Sequence, residues 1–227
     1  MTSVLFVVSE EGYWGEECID PLEILSDAGI DITIATPTGG RPRIDERSVD
    51  PETVGQETAD RISSIHETDD RIDDPRPIAS VRATDYDAVF FPGGHGTEWD
   101  INQDHHARAL LRETLENDCP AMAVCHAVGI LGFARDSNGA FIVLGRSVTG
   151  FPNEWEAEIV DDEERLPDGR KLPYWVEDEV IAAGGEWDAE LDEDVSVTVD
   201  GNLITARGPE SSGAAAETLL GELGVKR

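Results

Sequence analysis

Short apolar runs alternate with stretches of helical spacing along this chain, and the alternation predicts an α/β protein. Residues Val4–Ser9 form an unbroken apolar run of strand length, which is typical of a strand buried on both faces. The next segment, Glu16–Gly29, has apolar residues every three positions, as in a helix. A second strand is predicted over Asp31–Thr36. These elements make one β-α-β unit, whose right-handed crossover implies a parallel sheet.

Two features of the first third depart from a simple pattern. Pro21 is compatible with the first helix only in its opening turn, which predicts that the helix starts near Glu17 or Cys18. Residues 38–84 are rich in Asp, Glu, Arg and Pro and have almost no apolar periodicity. We predict that they form a surface excursion or cap that carries short helices, because an ordered loop of this length is unusual without packing or function.

Regular alternation then resumes to the end of the chain. The elements predicted there are strands Ala88–Pro92 and Ala121–Cys125, helices His105–Asn117, His126–Ala134 and Val176–Ala183, a hairpin of Val195–Val199 and Leu203–Ala206, and a last helix opened by Ser211 or Ser212. With no internal repeat and no low-complexity linker, residues 1–227 are predicted to form one doubly wound, mostly parallel, flavodoxin-like domain.

Net charge is the unusual quantity in the composition. The chain has 49 acidic and 17 basic residues, a formal net charge of −32. Nucleic acid and anionic membranes would be repelled, so neither is expected as a partner. The charge could form an acidic interaction surface, but its spread along the whole chain favours a solvation role in a salt-rich cytoplasm.

Cysteine number and hydropathy limit the remaining classes. The chain has three cysteines at irregular spacing, which argues against a disulfide scaffold. No cysteine pair has the spacing of a metal knuckle. The first residues lead directly into a predicted core strand without a basic leader, and no apolar stretch approaches the ~20 residues of a membrane span. A soluble, cytoplasmic protein is expected, without a metal.

Cys125 has the context of a nucleophile, since it ends an apolar strand and is followed directly by a predicted helix. A thiol on this turn would project above the sheet, and a helix N-terminus would stabilise its thiolate by roughly 0.3–1 kcal/mol. A buried structural cysteine is the competing interpretation, and the strand-Cys-His-helix context favours the nucleophile.

Other strand ends should meet Cys125, because ligands of such sheets bind beyond the carboxyl ends of the strands. Gly93 and Gly94 follow a predicted strand, and their N–H groups could face an oxyanion together with the N–H of His126. An ordinary turn is the alternative. Glu17 should point into the same crevice, either as a protonated donor to the thiolate or as a general base.

His126 is the last histidine of the chain, and this position is informative. An α/β-hydrolase requires a catalytic histidine far downstream of its nucleophile, and a class I glutamine amidotransferase requires a downstream His-x-Glu pair. Neither arrangement is possible here. The base next to Cys125 is therefore predicted to be His126 itself, oriented by a carboxylate, with Glu154 and Glu156 as the nearest candidates along the chain.

Six ordered blocks extend over nearly the whole chain and together resemble one family. They are GYWGEECIDPLEIL (12–25), PTGGRPRID (37–45), DYDAVFFPGGHGTEWD (85–100), AVCHAVGIL (123–131), VTGFPNEWE (148–156) and DGNLITARGPESS (200–212). The chain resembles the DJ-1/PfpI superfamily, which has a class I glutamine amidotransferase-like fold. Within it, the chain is most similar to the heat-shock-protein-like branch of glutathione-independent glyoxalases, deglycases and holdase chaperones.

The resemblance implies a role for individual residues. Glu17, four positions before a proline, corresponds to the family's acid, Cys125 to its nucleophile, and Gly94 with the N–H of His126 to its oxyanion pocket. In this branch the carboxylate that orients the histidine comes from the block after VTGF, which implies Glu156, with Glu154 as the second choice. Ala127 departs from the glycine usual in relatives, and its Cβ is expected to narrow the pocket or alter the turn.

Three functions follow as hypotheses. The first is a cysteine-dependent enzyme that acts on methylglyoxal or a related 2-oxoaldehyde without an external cofactor, or a related deglycase. The second is a stress-related holdase or a redox sensor in which Cys125 is oxidised. The third is an amidase or protease of the PfpI type. The resemblance also implies a homodimer.

Overall fold

The computed structural model describes residues 2–188 and 195–225. Its central sheet has seven strands in the order β3-β2-β1-β4-β5-β9-β8, all parallel to their neighbours except for the antiparallel pair β8 and β9. A separate parallel pair joins β6 and β7. The strands are β1 Ser3–Val7, β2 Asp31–Thr36, β3 Arg76–Pro77, β4 Ala88–Phe91, β5 Ala121–Val124, β6 Ser147–Val148, β7 Glu186–Trp187, β8 Val197–Asp200 and β9 Leu203–Ala206. The predicted doubly wound α/β fold is confirmed.

Eight α-helices cover the sheet within the described residues. They are α1 Gly15–Asp27, α2 Pro51–Val54, α3 Gln56–Thr68, α4 Asp70–Asp73, α5 His105–Glu116, α6 Asn153–Ile159, α7 Val176–Ala182 and α8 Pro209–Glu222. Helices α1 and α8 pack together on one face, and α5 and α7 pack on the other. None of these helices combines the length and apolar character needed to cross a membrane.

The core lies on both faces of the sheet, as the unbroken apolar run at the N-terminus predicts. In β1, Val4 and Phe6 point into the apolar cluster that contains α1 and α8, while Leu5 and Val7 point into the cluster that contains α5 and α7. All four side chains are fully buried. Side chains alternate across a strand, so a strand covered on both faces has no polar positions.

Some predicted boundaries are wrong for local physical reasons. Helix α1 begins at Gly15, so Pro21 lies inside the helix and not in its first turn. A proline there leaves the carbonyl four residues earlier, that of Glu17, without its usual helical donor. The predicted helix His126–Ala134 is instead a 3-10 helix over Cys125–Gly132. Helix α8 begins at Pro209, before the two serines expected to open it.

Residues 38–84 contribute more to the core than their composition indicates. Helix α3 buries Ala59, Ile62 and His66 at a spacing of three and four residues. Strand β3 adds to the edge of the main sheet beside Ala35 and Thr36. The apolar residues are few but lie on one face, so this segment packs against α1 and β2 while its acidic residues face water.

Candidate active site

The site forms where the strand order reverses. From β1 the chain moves to β2 on one side and later to β4 and β5 on the other, and ligands of such sheets bind beyond the carboxyl ends of the strands at this point. Gly93 follows β4, Cys125 follows β5, and Glu17 lies in the first turn of α1. The residues predicted from three separate segments are therefore brought together.

Cys125 occupies a sharp turn with a left-handed backbone. Its φ angle is 56°, a conformation that residues with a Cβ rarely adopt. The strand ends at Val124 in an extended conformation, and the 3-10 helix begins at Cys125 itself. The turn directs the sulfur towards the ring of the next residue, with Cys125 Sγ 3.1 Å from His126 Nδ1. Only 3% of the residue is exposed.

His126 connects the thiol to a carboxylate. Its Nε2 lies 2.7 Å from Glu156 Oε2, and Phe151 stacks on the imidazole at 4.3 Å between ring centroids. Glu156 is buried on the inner side of α6, whereas Glu154 is exposed and makes no contact with the ring. A carboxylate accepts hydrogen bonds only, so His126 carries its proton on Nε2 and presents an Nδ1 lone pair to the thiol. Such a pair can move a proton from sulfur to nitrogen.

Glu17 lies beside Cys125. A Cβ at Gly93 would overlap Glu17 Oε2 and would lie 2.8 Å from Cys125 Cβ, so the carboxyl and the cysteine border the same small space. Glu17 is fully buried, and neither of its oxygens accepts an N–H or O–H hydrogen bond within the described residues. Burial raises the pKa of this carboxyl to about 8, although the Cys125 thiol acts in the opposite direction.

Burial outweighs the stabilisation of the Cys125 thiolate that was predicted from a helix N-terminus. Burial, followed by the neighbouring Glu17 carboxylate, raises the pKa of Cys125 well above its usual value. The backbone N–H groups of His126 and Gly94 act in the opposite direction but do not outweigh burial. A 3-10 helix in an apolar setting is a weaker aid to the thiolate than the predicted α-helix. The thiol therefore needs His126 as a proton acceptor.

These observations fix the geometry with which known proteins can be compared. The model of the DJ-1/PfpI family matches residues 2–222. The chain belongs to the DJ-1/PfpI family. The family resemblance stated from the six blocks is thus confirmed.

Individual relatives narrow the comparison within the DJ-1/PfpI family. The chain is 27% identical over 220 residues to the glutathione-independent glyoxalase HSP31 of Saccharomyces cerevisiae, covering 92% of this chain and 87% of that protein. It is 24% identical over 213 residues to the protein/nucleic acid deglycase HchA of Staphylococcus aureus, covering 91% of this chain and 70% of that one. The crystal structure of glyoxalase III from Candida albicans has a TM-score of 0.81 at 22% identity, covers 97% of each chain, and has the same fold.

The remaining predicted site residues of this DJ-1/PfpI chain have clear places. The N–H groups of Gly94 and His126 both act on Cys125 Sγ, so a developing negative charge beside the sulfur has two backbone donors. Gly94 has φ 101° and its Cα faces the backbone of Gly12 and Tyr13, which leaves no room for a side chain. Ala127 is fully buried in the apolar cluster on the opposite face of the sheet from Cys125.

Sequence reasoning missed a second histidine in the site. His95 lies in the GGHG segment, for which the sequence predicted a role only for the N–H groups of Gly93 and Gly94. Its Nε2 is 3.0 Å from Glu156 Oε1, and its ring lies 3.9 Å from that of His126 between centroids. Its Nδ1 is 2.8 Å from a guanidinium nitrogen of Arg47, which is paired with Asp45. The available signal was a histidine directly after two glycines at the end of a sheet strand.

One group of buried side chains in the described part of the chain could hold a metal ion. It consists of His95, His126 and Glu156, whose ligand atoms lie within 4.8 Å of one another. Two imidazoles and a carboxylate suit Zn²⁺ and other divalent transition metals. A metal bound there would replace the hydrogen bonds between Glu156 and the two imidazoles.

Proposed function

We propose that this DJ-1/PfpI protein is a glutathione-independent glyoxalase that converts methylglyoxal or a related 2-oxoaldehyde to the 2-hydroxy acid, with Cys125 as its nucleophile. The observation that carries the proposal is the hydrogen-bonded series Cys125 Sγ, His126 and Glu156 at 3.1 and 2.7 Å, with the carboxyl of Glu17 in the same small space as the cysteine. The name of the yeast relative supports the same substrate class.

In the first step, His126 Nδ1 takes the thiol proton while sulfur attacks the aldehyde carbon of the substrate. A C–S bond forms, the aldehyde oxygen becomes an oxyanion near the N–H groups of Gly94 and His126, and protonation gives a hemithioacetal. Glu156 stabilises the imidazolium that exists during this step, because its negative charge lies against the protonated ring. Burial of the site strengthens this electrostatic interaction.

In the second step, a proton moves from the former aldehyde carbon to the neighbouring carbon. The base removes the C–H proton and the ketone oxygen is protonated to give an enediol. Protonation of the second carbon, with loss of the proton from the former aldehyde hydroxyl, then gives a 2-hydroxyacyl thioester on Cys125. Either Glu17 or His126 can carry this proton, and Glu17, with a pKa of about 8, exchanges protons near neutral pH. Water then cleaves the thioester, releasing the 2-hydroxy acid and the thiol.

The test is turnover of methylglyoxal by the purified protein in high salt without glutathione, with lactate and residual methylglyoxal both measured. We expect stoichiometric lactate from the wild type and a loss of at least about 1000-fold in Cys125→Ala. Cys119→Ala is the matched control, because Cys119 is a partly exposed thiol outside the site, and it should keep wild-type turnover. Equal, low rates for wild type and Cys125→Ala would end the proposal.

A deglycase activity is the second candidate, because the staphylococcal relative is named as one. It would use the same thiol adduct, with a glycated amine in place of free methylglyoxal. Release of amine from a preformed N-acetyl-lysine adduct, measured with a methylglyoxal scavenger present, separates the two activities. An activity that disappears in the presence of the scavenger acts on the free aldehyde.

A further inference from the structure

A chain of buried polar groups extends from Glu156 away from Cys125. We infer that His95 is a positioning residue for the His126–Glu156 pair and that Arg47 fixes the tautomer in which it acts. The inference rests on the proposed function, since it assigns a role within the same proton-transfer site. His95 is 3% exposed and lies between Glu156 and Arg47.

The hydrogen-bond partners of His95 determine where its proton lies. A guanidinium has only N–H donors, so His95 Nδ1, 2.8 Å from Arg47, must accept. A neutral imidazole with an accepting Nδ1 has its single proton on Nε2. That nitrogen faces Glu156 Oε1 at 3.0 Å, and it therefore donates to the carboxylate.

Arg47 is itself held in place. Its Nε and one terminal nitrogen lie 3.1 and 2.6 Å from the two carboxylate oxygens of Asp45, a bidentate pairing that fixes the plane of the guanidinium. The pair also lines a cavity of about 550 Å³ beside the site, together with Gly12 and Arg170. The chain Asp45, Arg47, His95, Glu156 thus connects that cavity to the imidazole beside the nucleophile.

The consequence for His126 is both geometric and electrostatic. With Oε1 of Glu156 occupied by His95 and Oε2 by His126, the carboxylate cannot turn, and it keeps the Nδ1 lone pair of His126 directed at Cys125. His95 also remains neutral, because its Nδ1 accepts a hydrogen bond from Arg47 and so carries no proton. A second imidazolium 3.9 Å from His126 would oppose the positive charge that His126 must accept.

The experiment compares His95→Gln with His95→Leu. The glutamine amide can donate to Glu156 and accept from Arg47, whereas leucine fills similar space without either hydrogen bond. We expect His95→Leu to lower kcat for methylglyoxal by about 10- to 100-fold, with KM nearly unchanged, and to slow iodoacetamide alkylation of Cys125 in parallel. His95→Gln should recover most of both losses. Equal rates for the two variants would contradict the positioning role.

The second readout is the tautomer of His95 in the unaltered protein, measured by ¹⁵N NMR on histidine-labelled samples at neutral pH. His95 is assigned through the signal missing in His95→Gln. An unprotonated Nδ1 and a protonated Nε2 are expected, and a protonated Nδ1 would overturn the inference even if His95→Leu did not fold. Alkylation and NMR need no turnover, so they still test the inference if methylglyoxal is not the substrate.

Discussion

Two buried glutamates belong to the site of Cys125, Glu17 beside the cysteine and Glu156 beyond His126, and their carboxyl groups are in opposite chemical states. Glu17 has no N–H or O–H donor within the described residues, and burial raises its pKa to about 8. Glu156 is also desolvated, but hydrogen bonds from His126 and His95 more than offset burial and lower its pKa. The difference teaches that burial alone does not determine the protonation state of a carboxyl group, because hydrogen-bond donors to its oxygens can offset burial. One glutamate is available as an acid, and the other is a permanent anion.

The largest effect should come from removing the ionisable group on the Glu17 side. Glu17→Gln should lower kcat for methylglyoxal by about 10²- to 10⁴-fold, because an amide cannot carry a proton between carbons. Alkylation of Cys125 at neutral pH should stay close to the wild-type rate, since the protonated carboxyl of Glu17 and the glutamine amide are both uncharged hydrogen-bond donors. A parallel fall in alkylation and turnover would show that Glu17 serves the thiol and not the substrate.

A smaller effect is expected on the Glu156 side. Glu156→Gln removes the anion that stabilises imidazolium and leaves one ring N–H facing an amide N–H, so turnover should fall about 10- to 100-fold. Here alkylation should fall with turnover, the opposite of Glu17→Gln. Glu154→Gln is the matched control, an exposed residue in the same helix, and it should behave as wild type. If Glu154→Gln were the slower variant, the assignment of the orienting carboxylate would be wrong.

The third effect concerns stability and not turnover, and its sign follows from the raised pKa of Glu17. Between pH about 4.5 and about 8 the folded state keeps the Glu17 proton that the unfolded chain releases, so rising pH lowers the free energy of unfolding. Glu17→Gln removes this dependence. Its stability relative to wild type should increase by up to about 1.4 kcal/mol per pH unit over that range, measured by denaturant unfolding at constant high salt. A difference that stays constant between pH 5 and 8 would contradict the buried, protonated state.

A redox-sensor role for Cys125 has less support than the enzyme. Sensor cysteines are exposed and have low pKa values, whereas Cys125 is buried and its pKa is raised. The intact mass after mild peroxide treatment, compared with turnover under the same conditions, addresses this alternative directly.

Sequence patterns predicted the strands of this protein better than its turns. Strand β2 has the predicted limits Asp31–Thr36, because a run of apolar and β-branched residues favours a buried strand. Short helices were predicted within residues 38–84, but the position of α3 was not, because three buried positions among many charges give little periodicity. The start of α1 was predicted too late, because Pro21 was expected in the first turn of the helix. Tertiary packing keeps α1 intact around this proline.

The site divides in the same way. Cys125, His126 and Glu17 could be located from strand ends, since the topology of a parallel sheet brings such ends together. Glu156 was reached through the family resemblance, and its contact with His126 depends on how α6 packs. Arg47 and His95 could not be paired from sequence, because 48 positions separate them and the excursion that holds Arg47 has no pattern to place it. The raised pKa of the Cys125 thiol depends on burial, which cannot be derived from the amino-acid sequence of one protein.

The left-handed backbone at Cys125 has a consequence for the evolution of such a chain. Holding a residue with a Cβ in this conformation costs roughly 1–2 kcal/mol, and the 56° φ angle is what aims the sulfur at His126. Glycine would relieve that strain and remove the reactive atom at the same time. At this position a change that increases stability removes activity. A more stable variant that keeps the thiol must therefore gain its stability at other positions.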